Sequence, residues 1–265
     1  MAELIPIDDP LDPRIEAYRD IRERDLVGRR GLFVAEGTVV LQKLVESATH
    51  RAQSLLIADK RVAALEPLWS RLPADVPVFV APPPVIDAIA GFPLHRGVLA
   101  IGRRTEAPSP AALLDAACDV LLLCGIANHD NMGGIFRNAA AFGIGAILLD
   151  ADCCDPLYRK AIRVSVGAAL LVPFAQLQPG EDALALLDRQ GFTPVALSPS
   201  GTATLDDWRP APRNAVLLGA EGPGLAPDMM ARTQTLRIAM TAGFDSLNVA
   251  TTSGIVLHHL ATRRG

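Results

Sequence analysis

Short apolar runs alternate with amphipathic stretches along most of this 265-residue chain, and that alternation leaves few folds open. Strand-like runs fall at 54–57, 77–80, 98–101, 120–124, 146–149, 194–197, 215–219 and 236–240. Helical patterns fall between them, at 37–46, 84–90, 132–142, 156–164, 182–190 and 247–261. Strands spaced by helices predict βαβ units and a mostly parallel sheet, an α/β fold. The polar stretch RRTEAPSPAA at 103–112 carries two prolines and divides two halves with this pattern. It predicts two domains, residues 1–108 and 109–265.

Half of the residues are hydrophobic and a fifth are charged, enough apolar surface for a sizeable core and too little charge for a disordered chain. No apolar run approaches the roughly 18 residues of a membrane span. The opening MAELIPIDDPLDPR is acidic and unlike a secretory or transit signal, so a soluble cytoplasmic protein without membrane partners is expected. The four cysteines, Cys118, Cys124, Cys153 and Cys154, form no CxxC pair. They read as small buried hydrophobes, and no metal site is expected. The net charge of −4 is not that of an overall basic nucleic-acid binder. Arginines do cluster, at Arg22, Arg24, Arg29 and Arg30 and again at Arg103 and Arg104, so local positive surfaces leave RNA binding open.

Three segments carry candidate chemistry. NHDNMGGIFRNAAAFG (128–143) follows a strand and opens a helix. Asn131 is the expected N-cap and Gly143 the C′ residue. Ile135, Ala139 and Phe142 make the core stripe, which turns Arg137 away from the core. Gly133 and Gly134 leave the first turn bare, so a backbone or ligand can come close. A local anion site and a plain surface arginine both fit. VLLGAEGPGLAPDMM (216–230) ends a strand at Gly219 and turns abruptly through Gly222, Pro223 and Gly224, with Glu221 inside the turn. Ligands of open α/β sheets bind at such strand ends. The segment has no Walker lysine and Glu221 would repel phosphate, while a tight turn with a capping Glu remains the alternative. LRIAMTAGFDSLNVATTSGIVLHHL (236–260) runs from strand through loop to a helix opening near Asp245 or Ser246. Thr251, Thr252, Ser253 and Gly254 suit close packing against a backbone or partner, and an ordinary capped core helix fits equally.

Taken together, these segments resemble the three motifs of the SpoU (TrmH-like) branch of SPOUT RNA 2′-O-ribose methyltransferases. The first matches through Asn131, Gly133, Arg137 and Ala139; the second through Gly219, Glu221, Gly222, Gly224 and Leu225; the third through Ile238, Met240, Ser246, Leu247, Asn248 and Val249. PLYRKAIRVSVGAALLVPF (156–174) resembles the family's inter-motif helix and strand, and the resemblance covers about residues 112–262. RDLVGRRGLFVAEGTVVLQKLVES (24–47) more loosely resembles the small substrate-binding domain often fused ahead of it, with Phe33, Val34 and Leu41 as core. The chain departs from common family usage at His129, Ala220 and Ala239. His129 reads as a solvent-facing loop residue.

The resemblance implies a SPOUT α/β domain with a C-terminal deep trefoil knot, preceded by a small α/β RNA-binding domain. It implies S-adenosyl-L-methionine held by the loops after three strands, near Leu197, Gly219, Ile238, Met240 and Leu247. It assigns Arg137, Asn131, Glu221, Ser246 and Asn248 to catalysis, and Arg29, Arg30 and Arg137 to RNA. A guanidinium keeps its proton near neutral pH, so Arg137 is expected to grip RNA phosphate and the emerging oxyanion. Glu221 is read either as ordering the loops or as holding Arg137. A homodimer is implied, with rRNA favoured over tRNA. The competing readings are a tRNA 2′-O-methyltransferase and a non-catalytic RNA-binding or ribosome-assembly factor on the same scaffold. A different α/β enzyme is disfavoured, since the chain has no GxSxG, Walker or GxGxxG motif.

Overall fold

The computed structural model describes residues 3–19, 27, 31–90, 97–105, 108–241, 243 and 246–264. The first strands and helices are β1 (Leu4–Pro6), β2 (Leu32–Glu36), α1 (Thr38–Glu46), β3 (His50–Ala58), α2 (Val62–Trp69), β4 (Val78–Ala81), α3 (Pro83–Ala90) and β5 (Val98–Arg104). There follow α4 (Pro110–Ala116), β6 (Asp119–Cys124), α5 (His129–Ala141), β7 (Ala146–Leu149), α6 (Arg159–Val164), β8 (Phe174–Gln176) and α7 (Ala183–Arg189). The chain ends with β9 (Thr193–Leu197), β10 (Ala203–Thr204), β11 (Asn214–Gly219), α8 (Pro227–Ala231), β12 (Gln234–Arg237) and α9 (Val249–Arg264).

These elements group into two compact units. One is Met1–Glu106 with Leu157–Leu171; the other is Ala107–Pro156 with Val172–Gly265. The stretch 157–171, assigned by sequence to the second half, therefore packs with the first unit. There Arg159 on α6 donates to Glu36 of β2 through Nε at 3.1 Å and Nη2 at 2.9 Å.

The first unit holds a five-stranded sheet in the order β1-β4-β3-β5-β2. It is mixed: β3 pairs parallel with β4 and antiparallel with β5, and β5 pairs antiparallel with β2. Leu32, Leu56, Phe79, Leu99 and Ile101 fill one face together with Ile15, Tyr18, Ile86 and Ile89. The buried Tyr18 hydroxyl meets Ser54 Oγ at 2.7 Å, and burial raises its pKa well above that of the usual phenol. Phe33 is fully buried and Leu41 nearly so, as expected, while Val34 is half-buried. The Phe33 ring lies so close over Gly102 that a Cβ there would sit 2.2 Å from it.

The second unit holds seven strands, all parallel, in the order β10-β12-β9-β11-β6-β7-β8. The central strands β6 and β11 are buried nearly end to end, which explains their unbroken apolar runs. Their register is locked at one end by a buried polar pair. Asn214 donates to Asp119 Oδ1 through Nδ2 at 2.9 Å and through its backbone N–H at 3.2 Å. Chain order along the sheet reverses at β6, whose neighbours are β7 on one side and β11 on the other. Such reversals leave a crevice at the carboxyl ends of the strands. Helix starts are chemically marked: Ser109 accepts from the Ala112 N–H to cap α4, and Asp182 from the Ala185 N–H to cap α7.

Candidate active site

The loops that follow β9, β11 and β12 enclose a cavity of about 490 Å³. Leu197, Ser198 and Pro199 form one wall, Leu218 to Gly222 and Gly224 a second, and Ile238, Met240 and 246–249 a third, with Thr252 from α9. Five residues assigned to the cofactor from sequence, Leu197, Gly219, Ile238, Met240 and Leu247, all line it. β12 ends at Arg237 rather than at Met240. Ile238 and Met240 are half-buried cavity wall, not strand core.

The glycines of the second wall have a steric reason. A Cβ on Gly219 would lie 2.4 Å from the Gly224 carbonyl carbon and 2.5 Å from the Leu225 nitrogen. The turn folds back on its own strand, with the Gly224 N–H donating to the Ala220 carbonyl at 3.0 Å. Gly222 and Gly224 take φ of +90° and +71°, open to glycine at little cost.

One hydrogen-bonded chain joins three of the residues assigned to catalysis. Asn248 Nδ2 donates to Asn131 Oδ1 at 2.8 Å and to Glu221 Oε1 at 2.8 Å. Its Oδ1 accepts from the backbone N–H groups of Ala250 at 3.0 Å and Thr251 at 3.2 Å. Asn248 thus caps α9 while its amide bridges two other segments. The expected helix start at Asp245 or Ser246 is corrected: α9 opens at Val249, and Asp245 lies outside the described residues. Ser246 lines the cavity.

Asn131 is not the N-cap of α5. Asn128 is: its Oδ1 accepts from Asp130 N–H at 2.7 Å and Asn131 N–H at 3.3 Å. The helix therefore begins three residues earlier than expected. His129 is its first residue and half-buried, not a solvent-facing loop residue. Being inside the first turn frees the Asn131 side chain to meet Asn248. Gly143 does sit at C′, with φ +71°. The Ile144 and Gly143 N–H groups return to the Ala139 and Ala140 carbonyls in a Schellman arrangement.

Helices α5 and α9 pack through small residues. A Cβ on Gly134 would come within 2.7 Å of the Ala250 Cβ. Asn138 Nδ2 donates to the Ala250 carbonyl at 2.8 Å and to Ser253 Oγ at 2.9 Å, with Ser253 fully buried. The small-residue run after Asn248 is thus used for contact with α5. Ile135 and Ala139 are fully buried and Phe142 half-buried, its ring edge-on to His258.

Arg137 projects from the exposed face of α5 and does not line the cavity. Among the described residues it forms no ion pair with Glu221, whose carboxylate is instead held by Asn248. Of the two readings of Glu221, the geometry within one chain favours loop ordering. Arg29 and Arg30 lie outside the described residues. Ser198 and Pro199, not named from sequence, extend the loop expected near Leu197; their signal is the turn-forming SPSG run after β9. Behind the site, burial and then the nearby Asp150 push the Cys124 thiol up to about 12. Burial likewise pushes Cys154 up to about 11, and Cys153 higher still. These thiols are protonated packing groups.

Known proteins resemble this chain in sequence and fold. Residues 119–258 match the model of the SpoU rRNA Methylase family. The chain belongs to that family. An uncharacterized tRNA/rRNA methyltransferase of Mycobacterium bovis is 40% identical to it, over 97% of this chain and 91% of the relative. A TrmH-family protein from Porphyromonas gingivalis superposes with a TM-score of 0.81 at 26% identity, over 95% and 98% of the two chains. An AdoMet-bound rRNA methyltransferase from Sinorhizobium meliloti gives 0.84 at 21% identity, over 98% of each, a likeness of fold. The SpoU match spans all three loops of the cavity and the Asn131–Asn248–Glu221 chain. No helix among the described residues is long and apolar enough to cross a membrane.

Proposed function

We propose that this SpoU protein transfers a methyl group from S-adenosyl-L-methionine to a ribose 2′-hydroxyl of RNA, in rRNA rather than tRNA. The observation that carries this reading is the cavity lining. Among the described residues it presents one carboxylate, Glu221, no basic side chain, and many main-chain and apolar groups. That set fits a phosphate-free, positively charged ligand with an adenine to be read by backbone groups. It does not fit a nucleoside phosphate, which calls for basic groups or an open helix N-terminus. The AdoMet-bound relative from Sinorhizobium meliloti supports the choice of cofactor. The structure of an RNA 2′-O ribose methyltransferase with the same fold, TM-score 0.78, supports the choice of hydroxyl.

S-adenosyl-L-methionine supplies an electrophilic methyl on a sulfonium. The chain's residues do the rest. Leu197, Ile238, Met240 and Leu247 exclude water around it, and the glycine turn at Gly219–Gly224 admits backbone donors and acceptors. Asn248 fixes Glu221 and Asn131 relative to the start of α9, and Ser246 precedes it in the same wall. Arg137 holds an RNA phosphate and stabilises the alkoxide as the 2′-proton passes to solvent water; the oxygen–methyl bond forms as the methyl–sulfur bond breaks, and the thioether is the leaving group. It does so in the cavity of a partner subunit, since in its own chain it lies on an exposed face away from the lining. The enzyme on this reading is a homodimer. Its catalytic domain, 109–265, carries the trefoil knot. That knot is what membership of the SpoU family supports. Residues 1–108, with Arg29 and Arg30, bind the RNA.

Calorimetric titration with S-adenosyl-L-methionine tests the cofactor, beside Leu247→Arg. Leu247 lines the cavity and is 38% exposed, so an arginine there fills the cavity without disturbing the core. Binding by wild type and not by the variant is expected. Transfer of labelled methyl to RNA is expected to fall about 10²- to 10³-fold in Arg137→Ala, with cofactor binding intact. A folded wild type that binds RNA and no cofactor, with or without RNA present, would turn the reading to a non-catalytic RNA-binding factor.

A further inference from the structure

We infer that Arg51 and Arg103 form a two-pronged clamp for the RNA phosphodiester backbone on the first unit; this rests on the RNA substrate proposed above. The two residues are direct partners across the antiparallel β3–β5 pair. Directly opposed side chains on such a pair share one face, with Cβ atoms about 5 Å apart, and like charges in that arrangement are destabilising. Both arginines are exposed. Among the described residues the Arg51 side chain has no hydrogen bond or ion pair, and the Arg103 side chain donates only to the neutral Gln53 Oε1, at 3.1 Å. Among the described residues no carboxylate pairs with either arginine.

The local backbone is built around this pair. The register of β3 against β5 shifts between Ala52 and Ser54, so Gln53 is an inserted bulge residue. Bulges re-aim side chains at strand ends. Here the bulge turns Gln53 to the surface, where its carbonyl orients one arm of the Arg103 fork. Inward come Ala52 opposite Gly102, the bulge, and then Ser54 opposite Ile101, which is already core, with Ser54 bonded to the buried Tyr18. The charged pair therefore stands at the rim of a rigid sheet. Two guanidinium planes on such a base, one pre-oriented, match the oxygens of a phosphodiester. A phosphate between them removes the repulsion that the free protein carries. Neither arginine belongs to the three catalytic segments or to the Arg29–Arg30 pair.

Fluorescence anisotropy with a fluorescein-labelled 20-nucleotide poly(U) RNA tests this across a salt series. The proteins are wild type, Arg51→Gln, Arg103→Gln, the double variant and Arg51→Lys/Arg103→Lys. Each phosphate contact contributes about 0.7 to the slope of log K against log salt for a single strand. The double Gln variant is expected to lose about 1.4 in slope and about tenfold in affinity at 0.1 M salt, and the Lys pair to keep most of the slope. Cofactor affinity should be unchanged in all. The Gln variants should melt no lower than wild type, because a repulsive pair has been removed. Unchanged slope and affinity in the double variant would overturn the clamp and leave the methyltransferase reading standing. A lowered melting temperature in both single variants would also overturn it, marking the arginines as structural. A wild type that binds cofactor but no RNA would remove the clamp together with the RNA substrate.

Discussion

Asn248 performs two tasks with opposite ends of one amide, and two substitutions separate them. Asn248→Ala removes both ends. Losing the Oδ1 that accepts from Ala250 and Thr251 removes the cap of α9, about 1 kcal/mol. Losing Nδ2 leaves the Asn131 oxygen without its donor. Asn131 is 7% exposed, so that loss is a buried unsatisfied acceptor, about 2 kcal/mol. Glu221 is exposed and returns to water, adding little. The sum, about 3 kcal/mol, corresponds to a melting temperature lower by about 6–12 °C for a chain of this size. Asn248→Asp keeps the capping oxygen and adds a negative charge at a helix N-terminus, which is favourable. The Asn131 amide can turn and donate to the new carboxylate. Its melting point should stay within about 4 °C of wild type. Glu221, however, now faces a like charge and leaves its place. Both variants should therefore lose about tenfold in cofactor affinity, by calorimetry, while only the alanine melts early. Equal melting losses in the two would refute the cap; undiminished cofactor binding in both would refute the role of the bridge in shaping the cavity.

Gly134→Ala places a Cβ 2.7 Å from that of Ala250, and overpacking of this kind should cost about 1–3 kcal/mol in denaturant unfolding. Gly143→Ala, with nothing within 4 Å, should cost only the strain of its φ of +71°, about 1 kcal/mol. If Gly134→Ala proves the milder of the two, the close α5–α9 contact is wrong. Asn214→Ala should cost about 1–2 kcal/mol, because it removes the side-chain donor at 2.9 Å from the buried Asp119 carboxylate while the backbone N–H bond at 3.2 Å remains. In the folded protein Ellman's reagent at pH 8 should react quickly with the exposed Cys118 alone, and with all four thiols in urea. The Cys124 thiol is raised from 9.0 to about 12 in the fold, so its contribution to stability is complete below pH 9.0 and is lost as pH rises toward 12. Melting temperature that holds constant from pH 9 to 11 would contradict this.

What the sequence conveyed, and what it hid, follows from where each apolar residue spends its hydrophobicity. In β6, β7 and β11 the apolar run and the buried strand coincide, because strands covered on both faces need apolar residues throughout. The same rule misled at 238–240. Ile238 and Met240 continue the apolar pattern past Arg237, but they face a ligand cavity, and periodicity cannot tell core from pocket wall. Pro67 concealed α2: a proline in the sixth of eight positions reads as a breaker, yet the buried Leu65 and Trp69 hold the helix in place. β8 and β10, of three and two residues, are too short for any period to register. The first motif shows a subtler limit. Asn128 and Asn131 are both good capping residues, and three positions separate them. Only the tertiary partner decides between them: Asn248 arrives from the far end of the chain and occupies the Asn131 side chain, leaving Asn128 as cap. The position of Arg137 has a related cause. Its face was legible, since Ile135 and Ala139 fix the buried side of α5. An arginine turned from both core and cavity is either a plain surface residue or acts on something outside its own chain, and the loss of methyl transfer in Arg137→Ala with cofactor binding intact separates the two.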